Sequence, residues 1–305
     1  MQSRWRGVFP AVTTQLRKDQ SLDLEATARH LEVLIDSGVD GLIMLGSLGE
    51  NAALEPDEKR KVLAAAKETA RGRVPVLSGV VETSTAAAMR FARDAEKMGL
   101  DGLMVLPAMI YRADSAETLA HFRAVARSTS LPIICYNNPL AYVVDITPQM
   151  FVELAEIRNL VAIKESSGDV RRITDLRNTV GDRYELFCGV DDLVLESVLL
   201  GATGWIAGMG LAFPQENQYF WELAMAGDYK AARDLYAWYT PLLHLDTPVK
   251  FVQYIKLAIQ ETGLGAEWVR APRLPLEGEE RRRVLEIIHR GIETRPKIPQ
   301  RRKAS

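Results

Sequence analysis

The sequence has very little cysteine, almost no net charge and no long hydrophobic segment. Two cysteines in 305 residues, both within apolar runs, cannot build a disulfide framework, so a reducing compartment is expected. The 38 Lys and Arg residues nearly balance the 40 Asp and Glu residues, which argues against a dedicated nucleic-acid-binding protein. No apolar run approaches the roughly 20 residues of a membrane-spanning helix, and the N-terminus shows no signal-peptide pattern. These absences predict a soluble cytoplasmic protein with neither a membrane nor a nucleic-acid partner.

What the sequence contains is a regular alternation of short apolar runs and longer amphipathic segments. Runs that are apolar throughout are typical of parallel strands covered on both faces. The runs are Gly7–Thr13, Gly41–Leu45, Pro75–Val80, Gly102–Leu106, Pro132–Tyr136, Val161–Lys164, Glu185–Cys188 and Gly204–Ala207. Between them lie segments of helical period, such as Leu24–Ser37, Pro56–Arg71, Thr85–Met98 and Ala116–Ser128. Units of this kind predict an α/β fold, a (β/α)8 TIM barrel.

The competing fold is an open, doubly wound sheet. That fold would need a glycine-rich phosphate-binding loop after its first strand, and Phe9–Thr14 offers none. From about Pro214 the strand signal stops, and the remaining segments of helical period are Gln215–Ala226, Tyr229–Leu243, Val249–Thr262 and Glu279–Glu293. We therefore predict a barrel over residues 1–227, a C-terminal helical layer over residues 228–293 and a flexible tail over residues 294–305.

Catalytic groups of such a barrel lie at the C-terminal ends of its strands, where Lys164 ends the sixth apolar run. A lysine inside the barrel is poorly solvated, which lowers its pKa toward the range where free amine is available. Free amine attacks a carbonyl or imine carbon and forms a Schiff base. The alternative is a structural lysine whose amine reaches a neighbouring carboxylate such as Glu165.

Two further polar features follow other strands. Tyr136 ends the fifth run, where its phenol would lie close to Lys164 and could transfer a proton, although a tyrosine there can also serve packing alone. The second run is followed by a glycine loop, Gly46–Glu50, whose backbone N–H groups can converge on a carboxylate. The Ser47 hydroxyl of this loop could join a relay with Tyr136. The alternative is a plain tight turn before the next helix.

Together, these motifs resemble the dihydrodipicolinate synthase and N-acetylneuraminate lyase family of class I Schiff-base lyases. The motifs are Gly46-Ser-Leu-Gly-Glu50, Tyr136-Asn-Asn-Pro139 and Lys164-Glu-Ser-Ser-Gly168, and the resemblance runs from Gly7 to about Leu276. It implies that Lys164 is the Schiff-base lysine and Tyr136 the proton-transfer phenol. It also implies that Gly46, Ser47 and Leu48 hold the substrate carboxylate, with Ser47 supplying a catalytic hydroxyl.

The same resemblance implies a small 2-oxo acid or cyclic imine as substrate, and a homotetramer built as a dimer of dimers. The family uses no metal and no organic cofactor. A metal-free site agrees with the histidines, which fall in helical stretches without the spacing of metal ligands. These histidines are His30, His121, His244 and His289.

Departures from the family pattern bear on the substrate. Dihydrodipicolinate synthases have an arginine two residues after the proline of Tyr-Asn-x-Pro, and Ala141 at this position disfavours that activity. Those enzymes also place a tyrosine from a neighbouring subunit in the relay, a role that Tyr111 could fill from a loop one residue longer. Asp191 could bind a substrate hydroxyl or ammonium group, or could instead cap the helix beginning near Leu193. Gly208, after the eighth run, completes the predicted substrate site.

Several stretches look most like the branch of Δ1-pyrroline-4-hydroxy-2-carboxylate deaminases of bacterial hydroxyproline breakdown. They are Gly7–Gln15, Tyr136–Pro139, Pro241–Asp246 and Val269–Pro275. This likeness implies that the enzyme converts the pyrroline to 2-oxoglutarate semialdehyde and ammonia. The alternatives are aldol cleavage or dehydration of a 2-keto-3-deoxy sugar acid, a synthase-like pyruvate aldolase, and a catalytically silent barrel that acts as a binding module.

Overall fold

A computed structural model describes residues 5–108 and 111–299 of the chain. Its strands are β1 (Gly7–Val8), β2 (Leu42–Met44), β3 (Val76–Val80), β4 (Gly102–Val105), β5 (Ile133–Asn137), β6 (Leu160–Glu165), β7 (Glu185–Cys188) and β8 (Gly204–Trp205). All pair in parallel in one eight-stranded sheet, with β8 hydrogen-bonded to β1. The bond from Val12 N to Ile43 O (2.8 Å) joins the β1 segment to β2. The ring is therefore closed, which confirms the TIM barrel over the open sheet.

The helices between and after the strands agree closely with the predicted amphipathic segments. They are α1 (Leu24–Asp36), α2 (Pro56–Ala70), α3 (Thr85–Lys97), α4 (Ser115–Arg127), α5 (Pro139–Tyr142), α6 (Pro148–Leu154), α7 (Arg171–Val180), α8 (Val194–Leu199), α9 (Pro214–Met225), α10 (Tyr229–Leu243), α11 (Phe251–Glu261) and α12 (Gly278–Glu293). Short 3₁₀ turns, Asp191–Leu193 and His244–Asp246, lie near the barrel rim. None of the helices in the described part of the chain combines the length and apolar character needed to span a bilayer.

Local sequence determines where several of these helices begin. Pro56 occupies the first turn of α2, where its missing N–H costs nothing and its fixed φ suits a helix. At α4, the Asp114 carboxylate accepts the N–H of Glu117 (2.8 Å), while the Glu117 carboxylate accepts the N–H of Asp114 (3.0 Å). This capping box satisfies two of the donors that a helix leaves unpaired at its start.

The C-terminal helices pack against the barrel helix α9 and against the loop after β2. Phe220 of α9 stacks on Tyr236 of α10 with ring centroids 5.4 Å apart. From α11, the fully buried Lys256 donates to Glu50 Oε1 (2.6 Å) and to Thr14 O (2.9 Å). Because Glu50 ends the glycine loop of residues 46–50, this ion pair ties the helical layer to the loop.

The predicted domain limits stay a prediction, although the structure shows what lies at two of them. The proposed end of the barrel, near residue 227, falls between α9 and α10. At the start of the predicted flexible tail, Arg295 donates two hydrogen bonds to Glu216 of α9, at 2.6 and 2.8 Å. Residues 300–305 of that predicted tail lie outside the described residues.

Candidate active site

Lys164 lies near the C-terminal end of β6, and its side chain is buried. Its residue is 6% exposed, and strand pairing places it directly beside Tyr136 of β5. The Nζ atom lies 3.9 Å from the centroid of the Tyr136 ring. The pairing of β5 with β6 thus brings together Lys164 and Tyr136, the two residues that the sequence analysis predicted to be catalytic.

The Lys164 amine is held in conditions that favour its uncharged form. Burial lowers its pKa, and this effect outweighs the opposing influence of the ionisable groups of Tyr142, Asp246 and Asp191. Within residues 5–108 and 111–299, its amine forms no ion pair with a carboxylate. The adjacent Glu165 is engaged elsewhere, since it accepts hydrogen bonds from Asn137 Nδ2 (3.0 Å) and from the N–H of Ser167 (2.6 Å). The structural alternative for Lys164, a bond to Glu165, is therefore not observed.

The glycine loop presents a hydroxyl and free backbone donors. Among the described residues, no acceptor is bonded to the backbone N–H of Ser47 or of Leu48. The Gly46 carbonyl accepts the N–H of Asn51 (3.4 Å), and the Ser47 carbonyl accepts that of Glu50 (3.1 Å), so the loop is closed on itself. Two free N–H groups on one tight loop can bind a carboxylate group.

Ser47 forms its side-chain hydrogen bond with Tyr142, a residue that the sequence analysis did not single out. The Tyr142 ring packs edge-to-face on the Tyr136 ring, with centroids 5.5 Å apart. Tyr142 is placed there by α5, whose first turn is capped by Asn138 accepting the N–H of Ala141 (3.0 Å). The Asn138-Pro139 pair is typical of the start of a helical turn. It was the one sequence feature from which the position of Tyr142 could have been predicted. Its effect is to put a second phenol between Ser47 and Tyr136.

Both phenols are protonated at neutral pH. Burial raises the pKa of Tyr136, and it raises that of Tyr142 as well. Asn138 Nδ2 donates to Tyr136 Oη (3.1 Å) and so fixes the orientation of this phenol. The resulting cluster of two phenols and the Ser47 hydroxyl can pass a proton to or from a group bound at Lys164.

Asp191 is fully buried, and its carboxylate has three N–H donors. They are Trp205 Nε1 (2.9 Å), Gly208 N (3.1 Å) and Met209 N (2.7 Å). Burial raises the pKa of Asp191 to about 6, although these donors and Lys164 oppose that rise. The alternative role as a helix cap is not observed, because neither the 3₁₀ turn at Asp191 nor α8 has a side-chain cap. The carboxylate instead fixes the loop after β8, which contains the predicted site residue Gly208.

Tyr111 is not brought to Lys164 within one chain. It is 56% exposed, and its hydroxyl is hydrogen-bonded to Glu117 of α4, which raises the pKa of the phenol. Residues 109 and 110 of the same loop lie outside the described residues. A role for Tyr111 in a neighbouring subunit stays a prediction.

Besides Tyr142, two further site residues were missed by the sequence analysis. Gly189, after β7, lets the lysine approach, because a Cβ at this position would lie 2.6 Å from Lys164 Cε. Asp246, from the 3₁₀ turn after α10, places its carboxyl against Gly208, where a Cβ would lie 2.3 Å from Oδ1. Burial, reinforced by the charge of Asp191, raises the pKa of Asp246 well above its usual range. A carboxylic acid thus stands beside the lysine on the β7–β8 side of the barrel.

The histidines have protein partners. His30 Nε2 lies 2.8 Å from Leu211 O, His121 Nδ1 3.0 Å from Thr85 Oγ1, His244 Nδ1 2.7 Å from Asp192 Oδ2 and His289 Nε2 2.7 Å from Glu261 Oε2. Over the described ranges, no group of three or more His, Cys, Asp and Glu side chains is arranged to hold a metal ion.

Comparison with known proteins places these features in a family. The model of the dihydrodipicolinate synthetase family matches residues 4–290. A 4-hydroxy-tetrahydrodipicolinate synthase from Archaeoglobus fulgidus is 32% identical over 288 residues, which cover 93% of this chain and 97% of that protein.

Solved structures of similar proteins superpose over most of the chain. The 4-hydroxy-tetrahydrodipicolinate synthase of Methylacidiphilum fumariolicum SolV has a TM-score of 0.91 at 28% identity, covering 95% of this chain and 97% of that one. A prophage protein of the dihydrodipicolinic acid synthase family from Escherichia coli K12, solved in complex with pyruvate, has a TM-score of 0.89 at 28% identity, covering 95% and 99%.

Proposed function

Because the chain belongs to the dihydrodipicolinate synthetase family, and is thus an enzyme of the class I Schiff-base lyase superfamily, we propose that Lys164 attacks C2 of a small 2-oxo acid or cyclic imine. The observation that carries this proposal is the buried Lys164 amine, which lies 3.9 Å from the Tyr136 ring centroid and forms no ion pair with a carboxylate among the described residues. The free N–H groups of Ser47 and Leu48 hold the substrate carboxylate.

The proposed substrate is Δ1-pyrroline-4-hydroxy-2-carboxylate, and the products are 2-oxoglutarate semialdehyde and ammonia. Support comes from the position where synthases carry an arginine for the carboxylate of an aldehyde. Ala141 stands there, and the next residue, Tyr142, is bonded to Ser47. This arrangement suits a single substrate that is bound by one carboxylate and then rearranged, because Ala141 offers no guanidinium to a second carboxylate.

The chemistry follows from a neutral amine beside protonated phenols. Lys164 adds to C2, and the ring nitrogen leaves as an amine after taking a proton from Tyr136 or a water. The cationic Schiff base acidifies C3, whose proton returns to the same group. The enamine then expels the C4 hydroxyl, tautomerisation places an imine at C5, and hydrolysis releases ammonia. A second water releases the 2-oxo group from Lys164.

The proposed assembly is a homotetramer built as a dimer of dimers, in which Tyr111 reaches the site of a neighbouring subunit. Tyr142 already forms a hydrogen bond with the Ser47 hydroxyl within one chain. Tyr111 of a neighbouring subunit would therefore add a further hydroxyl to this relay. Light scattering coupled to size-exclusion chromatography measures the assembly, and a monomer at micromolar concentration would contradict it.

The second candidate function is that of a pyruvate aldolase or of a lyase acting on 2-keto-3-deoxy sugar acids. It is favoured by the relatives named 4-hydroxy-tetrahydrodipicolinate synthase and by the E. coli K12 protein solved with pyruvate. Product analysis separates the candidates: ammonia from the hydroxypyrroline supports the deaminase, whereas pyruvate from a sugar acid, or condensation of pyruvate with an aldehyde, supports the alternative.

Trapping with borohydride tests the shared step. Wild-type protein treated with substrate and borohydride is expected to gain the mass of one reduced adduct, located by peptide mapping on Lys164. An unchanged mass with every substrate in the panel would mean that the barrel is a binding module and would overturn the Schiff-base proposal.

A further inference from the structure

Asp246 lies at the barrel rim, in a turn that belongs to the C-terminal helical layer. The 3₁₀ turn His244–Asp246 follows α10 directly, and the Asp246 carboxyl packs against Gly208 in the loop after β8. The same carboxyl lies close enough to Asp191, in the loop after β7, for the charge of Asp191 to raise its pKa. Asp246 therefore lies next to the two loops that border Lys164 on one side.

The turn that carries Asp246 is fixed in place. His244 Nδ1 lies 2.7 Å from Asp192 Oδ2, and Thr247 Oγ1 donates to the His244 carbonyl (3.0 Å). A carboxyl held from both ends of its turn has little freedom to swing away from the rim. Such preorganisation is what proton transfer to a bound substrate requires.

The two carboxyl groups beside Lys164 have different surroundings. Asp191 is committed to three N–H donors, which stabilise its anion. For Asp246, burial is the main effect that disfavours ionisation, and the neighbouring charge of Asp191 adds to it. Paired carboxyl groups in unequal surroundings divide into an anion and an acid. Asp246 is thus the member of this pair that holds its proton more strongly, and the Lys164 amine, whose pKa burial lowers, lies on the same side of the barrel mouth.

The groups around Lys164 are arranged on two sides. Tyr136 and Tyr142 lie on the β5 side, whereas Asp246 lies on the β7–β8 side. A substrate linked through C2 to Lys164 therefore has a phenol available for the C3 proton and a carboxylic acid available for the C4 oxygen. Hydroxide is a poor leaving group, so its departure needs such an acid.

We propose that Asp246 is the general acid for loss of the C4 hydroxyl. The C4–O bond breaks as the enamine electrons form a C3–C4 double bond, and Asp246 gives its proton to the oxygen, so that water leaves and a carboxylate stays. This carboxylate then takes a proton from C5 in the tautomerisation and is restored as the acid. This role rests on the proposed deaminase function. It supplies a proton donor for the loss of the C4 hydroxyl, a step for which the proposed function names none.

The test compares Asp246→Asn with wild type and with Asp234→Asn, a control at an exposed aspartate of α10. Asp246→Asn keeps the size of the side chain but has no acidic proton. Ammonia release from the hydroxypyrroline is expected to fall about 100-fold or more in Asp246→Asn, within the usual range for a general acid, and to be unchanged in Asp234→Asn. Borohydride trapping of pyruvate on Lys164 is expected to match wild type, because Schiff-base formation does not use this acid.

A substrate with fluorine in place of the C4 hydroxyl gives the decisive readout. Fluoride leaves with less help from an acid, so Asp246→Asn is expected to lose much less activity on this analogue than on the hydroxyl substrate. Equal losses on both substrates, or loss of pyruvate trapping, would show that Asp246 only supports the site. Wild type that traps pyruvate but releases no ammonia would overturn the proposed substrate and this role with it. If Asp246→Asn releases ammonia as fast as wild type, the role of Asp246 is overturned but the proposed substrate is not.

Discussion

Two buried lysines of this chain, Lys164 at the barrel mouth and Lys256 in α11, have opposite surroundings. Burial lowers the pKa of both. Lys256 has Glu50 Oε1 at 2.6 Å and a backbone carbonyl at 2.9 Å, so its charge is compensated inside the protein. Lys164 has the face of a tyrosine ring at 3.9 Å and, in the part of the chain that the structure describes, no ion-paired carboxylate. The comparison indicates that the partner, rather than burial itself, separates a structural lysine from a nucleophilic one.

The largest effect is expected from Lys164→Ala. If the neutral amine is the nucleophile, turnover should fall by at least about four orders of magnitude, or about 5.4 kcal/mol of transition-state stabilisation. The thermal unfolding midpoint should change little, because removal of an amine without a partner leaves no charge uncompensated. Steady-state rates and calorimetry measure the two quantities. A variant of normal activity would remove Lys164 from the mechanism.

Lys256→Met tests the other lysine and should mainly affect stability. Removing the amine leaves the buried Glu50 with only the more distant Arg273, 4.0 Å from Oε2, as a cationic partner, and loss of a buried partner costs about 3–5 kcal/mol of unfolding free energy. Denaturant unfolding measures the loss. In the double variant Lys256→Met, Glu50→Gln, part of the stability should return, because the unpaired charge is also removed. A Lys256→Met protein as stable as wild type would mean that the ion pair contributes nothing to folding.

Tyr142→Phe tests whether the hydroxyl network beside Lys164 acts within one chain. Loss of the Tyr142 hydroxyl, and with it the bond to Ser47, should slow turnover about 10- to 100-fold while adducts still form on Lys164. Tyr111→Phe is the matched control, since that phenol is exposed in the single chain. A larger effect of Tyr111→Phe than of Tyr142→Phe would assign the relay to the neighbouring subunit instead.

Local sequence features predicted most of the barrel and one side of its site. The apolar runs, the first-turn Pro56 and the pairing of Tyr136 with Lys164 depend on short segments and on strand order, both of which a sequence displays. The N–H donors of Asp191 lie on β8 and beyond it, so no pattern around Asp191 could have revealed them.

The residues missed depend on the three-dimensional path of the chain. Tyr142 reaches Ser47 only because α5 turns the chain back over the strand ends. Asp246 belongs to the helical layer, and its position beside Gly208 follows from how α10 ends. The predicted residues thus directly follow strand ends, whereas Tyr142 and Asp246 belong to helical segments whose path over the barrel mouth short motifs do not display.

The smallest expected effect concerns the pH dependence of adduct formation. Because burial lowers the pKa of Lys164, its amine stays free at pH values where a lysine of ordinary pKa, about 10.4, is protonated. As the pH falls from about 10, the rate of pyruvate trapping should stay level until the lowered pKa is reached, and only then fall tenfold per pH unit. The exposed Lys61 of α2 gives the reference for a lysine outside the barrel. Lys256, buried with Glu50, should not be labelled in the folded protein. Parallel profiles for Lys164 and Lys61 would show that the barrel does not hold the amine uncharged, and the contrast between the two buried lysines would then be one of access rather than of charge.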